Sequence, residues 1–145
     1  MSGALLGDTA LAVFRLNGQF LDVAEELARP VGLTAAWWQV LGAVLNEPLP
    51  VAGIARNMGI TRQSVQRIAD LLVDKGLAEY RPNPAHSRAK LVVPTESGRA
   101  AVARIAPEQR VVGERLAQRL GIAEFRRALE ALQRLSAALD SLDSH

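Results

Sequence analysis

The hydrophobic period of this chain changes at one glycine, and that change restricts the folds open to it. Before Gly76, the stretch "ITRQSVQRIADLLVDKG" (60–76) divides at helical spacing. Thr61, Val65, Ile68, Ala69 and Leu72 share one face, while Arg62, Gln63, Gln66, Arg67, Asp70 and Asp74 share the other. After Gly76 the period drops to that of a strand: "LAEYRP" and "KLVVP" are short β-like runs joined by "NPAHSRA", whose Asn-Pro and Ser suit a turn. Upstream, "PVAGIARNMG" reads as a short helix started by Pro50 or Val51 and stopped by Gly59. Thr61 is a candidate N-cap and Gly76 a C-terminal stop. From Pro50 to Val93 the order is therefore helix, tight turn, helix, hairpin.

The flanks are helical. Residues 8–28 are expected to form a helix capped by Asp8 or Thr9 and ended by Pro30 with Gly32. Its apolar face is broad (Val13, Phe14, Leu16, Phe20, Leu21, Ala24, Leu27, Ala28) and predicts more than one packing neighbour, with Asn17 near the middle. "LTAAWWQVLGAVLNEP" gives a second helix with Thr34 as cap and Pro48 as stop. From Thr95 "TESG" offers another cap, and a helix follows in which Pro107 predicts a kink or break. Gly121 separates a last helix whose Ala128, Leu132, Leu135, Leu139 and Leu142 step by 4 and 3, close to a coiled-coil seam. The expected fold is mainly α with a small β-hairpin, and the 145 residues read as one domain.

Charge is informative only in its distribution. Residues 1–50 carry two arginines against five acids, whereas residues 51–99 carry eight Lys/Arg against four acids. Positive charge thus collects on the helix–turn–helix–hairpin segment, as a nucleic-acid-facing module requires. A merely solvated basic surface is the plainer alternative. Without cysteine, no disulfide framework or thiolate metal site is expected, and His86 and His145 are too far apart in sequence to suggest a zinc site. No cofactor is expected. No apolar run reaches membrane-span length and no signal peptide is evident, so the expected compartment is the cytoplasm.

The order of elements and several strings resemble the MarR family of bacterial winged-helix transcription regulators. The resemblance rests on "LTAAWWQVL" (33–41), "VAGIARNMGITRQSVQRIADLLVDKGLAEYRPNP" (51–84), "RAKLVVPTESG" (88–98) and the position and period of the terminal helices. It implies a winged helix-turn-helix over about 33–95, flanked by dimerisation helices over about 8–29 and 96–142. Where the family's wing usually reads Asp-Pro-x-Asp-Arg-Arg, this chain has Asn83, Pro84, Ala85, His86, Ser87 and Arg88. An ion pair that usually stiffens the wing is therefore in question. The cysteine of the family's peroxide-sensing branch is missing.

Physical chemistry assigns roles to the exposed face. An α-helix fits the major groove, where arginine pairs with guanine O6 and N7 and glutamine with adenine N6 and N7. Gln63, Gln66 and Arg67 are the candidate base readers, and Arg62 and Ser64 the candidate phosphate contacts near the helix start. Asp70 and Asp74 are expected outside the groove. Arg88 is the candidate minor-groove residue; Lys90 and Arg81 are candidate phosphate contacts, or simply a solvated strand face. His86 is a phosphate contact or an inert turn residue.

A single recognition helix reads few base pairs, so a twofold dimer on a palindromic operator is expected. Leu11, Leu21, Val112, Leu116, Leu132, Leu135 and Leu139 are the candidate dimer contacts, or ordinary core. Phe14, Asn17, Trp37 and Trp38 are candidates for an apolar cleft holding a small aromatic or phenolic effector, as in the family. The alternative is Asn17 satisfied by backbone, with the tryptophans in the core. The leading expectation is a dimeric, sequence-specific DNA-binding regulator, a repressor. The alternative class is a winged-helix protein-interaction module. No Ser/His/Asp constellation, metal set or phosphate-binding glycine loop suggests an enzyme.

Overall fold

The computed structural model describes residues 1–142 and contains six α-helices, a short 3-10 turn and a three-stranded sheet among them. In chain order these are α1 (Ser2–Ala28), the 3-10 turn Arg29–Val31, α2 (Ala35–Ala43), β1 (Leu49–Pro50), α3 (Val51–Met58), α4 (Arg62–Asp74), β2 (Ala78–Arg81), β3 (Leu91–Pro94), α5 (Glu96–Leu120) and α6 (Ile122–Leu142). The chain forms two compact units, one over residues 1–106 and one from Pro107 onward.

In the first unit the core is built from one face of each short helix. Val65, Ile68, Ala69 and Leu72 of α4 are buried, which is the stripe expected from sequence; Thr61 stands exposed as the cap. They pack with Val40, Leu41 and Val44 of α2 and its C-cap, Ile54 of α3, Val92 of β3, and Ala101 and Ile105 of α5. Several of these are large aliphatic side chains with under 2% exposure, each contributing on the order of 1.5–3 kcal/mol through burial. Both turn caps fall where expected. The Thr61 side-chain oxygen accepts from Ser64 N–H at 3.1 Å, and Thr34 does the same for Trp37 N–H at 3.1 Å.

The sheet is antiparallel in the order β1–β3–β2, with Tyr80 opposite Val92 and Leu49 opposite Val92 on its other edge. The hairpin agrees with the sequence reading; β1 does not appear in it. Two residues carry no period, and Pro50, which lacks an N–H, is admissible only at an edge.

Thr95 and Gly98 lock the sheet to α5. The Thr95 hydroxyl donates to Gly76 C=O at 2.7 Å and accepts from Gly98 N–H at 3.1 Å, so "TESG" is a cap as expected. Gly98 has a second reason to be glycine: a Cβ there would lie 2.0 Å from the Leu77 carbonyl oxygen. A carboxylate ties the first helices together, since Glu25 Oε2 accepts from Ala35 N–H at 3.2 Å at the start of α2.

Other boundaries differ from expectation. α1 begins at Ser2, with Met1 in the cap position and no side-chain cap, so Asp8 and Thr9 lie inside the helix. Gly3 and Gly7 weaken a helix by about 1 kcal/mol each without ending it. α2 ends at Ala43, before Pro48, because a proline restricts only the residue preceding it and the chain must turn to bring Leu49 beside β3. Pro107 does not break α5, which is one element from Glu96 to Leu120. Its ring removes one hydrogen bond, and the rest of the ladder carries the helix past it. Gly121, at φ 86°, separates α5 from α6 as expected.

In the second unit α6 has no buried residue: Leu132, Leu135, Leu139 and Leu142 are 36–67% exposed. On α1, Leu11 and Phe14 are each 68% exposed and Phe20 52%. The broad apolar face of α1 is thus covered within the chain only toward its C-terminal end, where Ala28 is buried and Leu27 packs on the core.

Candidate nucleic-acid interface

The capped start of α4 and the β2–β3 hairpin face one another across an open groove of about 560 Å³. Its walls are Arg62, Gln63 and Gln66 from α4, Tyr80 from β2, Arg88, Ala89 and Lys90 from the end of the hairpin loop, and Pro50, Val51 and Ala52 at the start of α3. Three cations and two amides line it, and no carboxylate does. The start of α3, which has no side-chain cap at Pro50, lines it as well. Both the side chains and the helix terminus therefore favour an anion.

Five of the seven residues expected at DNA meet in this groove: Arg62, Gln63, Gln66, Arg88 and Lys90. All five are exposed. Arg67 is exposed on α4 outside the groove lining, and Ser64 is half-buried, accepting a 3.0 Å hydrogen bond from the Thr61 hydroxyl. Asp70 and Asp74 are exposed and do not line the groove. Arg81 pairs with Glu79 on the same strand.

The wing turn is held without an ion pair. Asn83 Oδ1 accepts from Ala85 N–H at 3.0 Å, and His86 N–H donates to Asn83 C=O at 3.1 Å. Asparagine thus supplies the turn-forming oxygen that an aspartate would. Among the described residues the ion pairs are Arg81–Glu79 and Arg127–Glu124, so Arg88 is left uncommitted.

Tyr80 and Asp70 form a contact that the sequence reading missed. Gln66 Nε2 donates to Asp70 Oδ1 at 3.0 Å and to the Tyr80 hydroxyl oxygen at 2.9 Å, and the Tyr80 hydroxyl donates to the same Asp70 oxygen. Burial first, then the hydrogen bond to Asp70 and its negative charge, push the Tyr80 phenol above its ordinary value; the Gln66 amide works the other way. The phenol keeps its proton at neutral pH and donates it to Asp70. The i, i+4 spacing of Gln66 and Asp70 was legible, whereas Tyr80 arrives from the hairpin.

The proposed effector residues have a different setting. Trp37 and Trp38 are half-buried and pack against the core, while Phe14 and Asn17 are exposed on α1. Asn17 is therefore not the buried amide that the cleft expectation assumed. Among the described residues no cluster of potential metal ligands occurs and no helix is long and apolar enough to cross a membrane.

Comparison with known proteins agrees with this geometry. A MarR-family profile matches residues 31–89. The uncharacterized protein Rv2011c of Mycobacterium tuberculosis is 41% identical over 127 residues, spanning 88% of this chain and 89% of that one. The M. tuberculosis regulator MosR in complex with DNA superposes with a TM-score of 0.75 at 22% identity, covering 91% of this chain and 96% of that chain. CouR of Rhodococcus jostii RHA1, bound to p-coumaroyl-CoA, gives 0.77 at 22% identity, covering 88% and 91%. The helix–turn–helix–wing arrangement, the profile and these likenesses agree, and this chain belongs to the MarR family of winged-helix transcription regulators.

Proposed function

We propose that this chain is a dimeric, sequence-specific DNA-binding repressor whose α4 enters the major groove while the wing follows the adjacent backbone. One observation carries the reading: the groove between α4 and the wing gathers Arg62, Arg88 and Lys90 with two glutamines and excludes every carboxylate. Arginine and glutamine are the side chains that make two-bond contacts to purine edges, and the cations match a phosphate backbone. The likeness in fold to MosR, which is seen in complex with DNA, supports DNA as the partner. A second copy is expected on the leucines left uncovered along α1 and α6, with Leu21, Val112 and Leu116 half-buried beside them in sequence. A protein that reads DNA works where the DNA lies, which keeps the cytoplasmic expectation.

The test is binding to a fluorescent duplex of the intergenic DNA upstream of its own gene, against random duplex, at two salt concentrations. Tight binding that prefers the upstream DNA and weakens steeply with salt is expected. Absence of binding at low salt would transfer the chain to the protein-interaction class. Relief of repression by a small aromatic effector is part of the same proposal, supported by the ligand-bound CouR likeness and by the two half-buried tryptophans. These are the chain's only tryptophans, so their fluorescence reports binding directly. Titration with p-coumaroyl-CoA and with free p-coumarate should quench it and release DNA; unchanged fluorescence and DNA affinity would remove these effectors.

A further inference from the structure

Gln66 is not a free reader. A primary amide has a donor end and an acceptor end of nearly equal shape, so an unrestrained glutamine turns either end toward a base. Here the nitrogen end is held inward by Asp70 Oδ1 and the Tyr80 hydroxyl, across from α4 to β2. The reverse orientation would set the glutamine carbonyl against a carboxylate oxygen. The carbonyl end therefore faces away, on a residue that lines the groove. The two acceptors lie 2.5 Å apart, with legs of 3.0 and 2.9 Å to the nitrogen. They subtend a narrower angle than the two amide N–H bonds, so a single N–H can serve both and leave the other free.

We propose that Asp70 and Tyr80 are positioning residues that lock the Gln66 amide with its carbonyl outward, so that Gln66 reads adenine, the base that sets an exocyclic amine beside an acceptor in the major groove. Adenine offers N6–H to the carbonyl and N7 to the remaining N–H; guanine and thymine place a carbonyl oxygen where the amine is needed. The inference rests on the DNA-binding reading above and adds which base is read and why. Releasing the lock broadens specificity without removing charge from the groove.

The experiment is selection of bound duplexes from a randomised pool by the full chain and by Gln66→Ala, Asp70→Ala and Tyr80→Phe. Thermal melting is recorded for each and should stay near wild type, because Gln66 and Asp70 are exposed and Tyr80→Phe keeps the ring, so that a change in sequence preference is not a change in folding. Wild type should enrich an A·T pair at one position per half-site. All three variants should lose roughly tenfold discrimination at that position alone, the scale of one two-bond contact. Enrichment of a G·C pair at the Gln66-dependent position overturns the proposal. So does a preference lost in Gln66→Ala but kept in either of the other two, or a Gln66→Ala profile identical to wild type. If wild type binds duplex yet enriches no sequence, sequence-specific reading itself fails, a result separable from the others.

Discussion

Arg67 and Arg88 carry the same charge in different places. Arg67 is exposed on α4 outside the groove lining, and Arg88 stands in the groove on the wing side. Arg67→Ala should cost roughly 1–3 kcal/mol on the preferred duplex and relax one base position, whereas Arg88→Ala should weaken most sequences alike and flatten the salt dependence. Competition binding across sequences separates the two. Tyr80 gives a pH test. Its folded-state value is raised, so nothing is lost below the ordinary phenol value of about 10; above it the unfolded chain ionises first and stability falls with rising pH. It is the only tyrosine, so the phenolate absorbance of the native chain should rise at higher pH than that of the chain in denaturant. Tyr80→Phe should show a shallower alkaline loss of stability. Coincident titration in the two states would contradict the burial and hydrogen bonding described for this phenol.

Among the elements, the junction between β2 and α5 is the tightest point. Gly98→Ala places a methyl 2.0 Å from the Leu77 carbonyl, an atom of backbone that cannot rotate away. The expected cost is about 1–3 kcal/mol, read from urea unfolding, since α5 must shift to admit the methyl. Gly42→Ala, in open space within α2, should cost nothing by the same measure and favour the helix. At the start of α4, Thr61→Ala removes the hydrogen bond to Ser64 N–H and should cost about 0.5–2 kcal/mol. DNA affinity should fall with it if the first turn of α4 holds a phosphate.

At the scale of the whole molecule, the uncovered leucines are the decisive feature. Leu135 and Leu139 are 36% and 50% exposed on α6. Charges at both positions, Leu135→Glu with Leu139→Glu, should convert a dimer to a monomer by light scattering and weaken binding to a palindromic duplex by orders of magnitude, because the second half-site is lost. Binding to random duplex should change far less. A wild-type chain that is monomeric at micromolar concentration would leave these leucines without the partner proposed for them.

The sequence alone determined much of what depends on local period and local chemistry, though not where α1 begins or α2 ends. The buried stripe of α4, the caps at Thr34, Thr61 and Thr95, the glycine stops and the hairpin all follow from spacing and from side chains that satisfy backbone groups within a few residues. The identity of the exposed α4 face followed in the same way, since a helix fixes which residues share a side. What tertiary structure decided is what residues distant in sequence do to one another. Leu49 and Pro50 become a strand only because β3 lies beside them. Gly98 is constrained by a carbonyl twenty-one residues earlier, and Asn17 is exposed on α1 although its neighbour Leu16 is half-buried. Likewise Gln66 is an oriented amide rather than a free one through Tyr80, fourteen residues away on the hairpin. Periodicity reports which face of an element is apolar; only packing reports what meets that face.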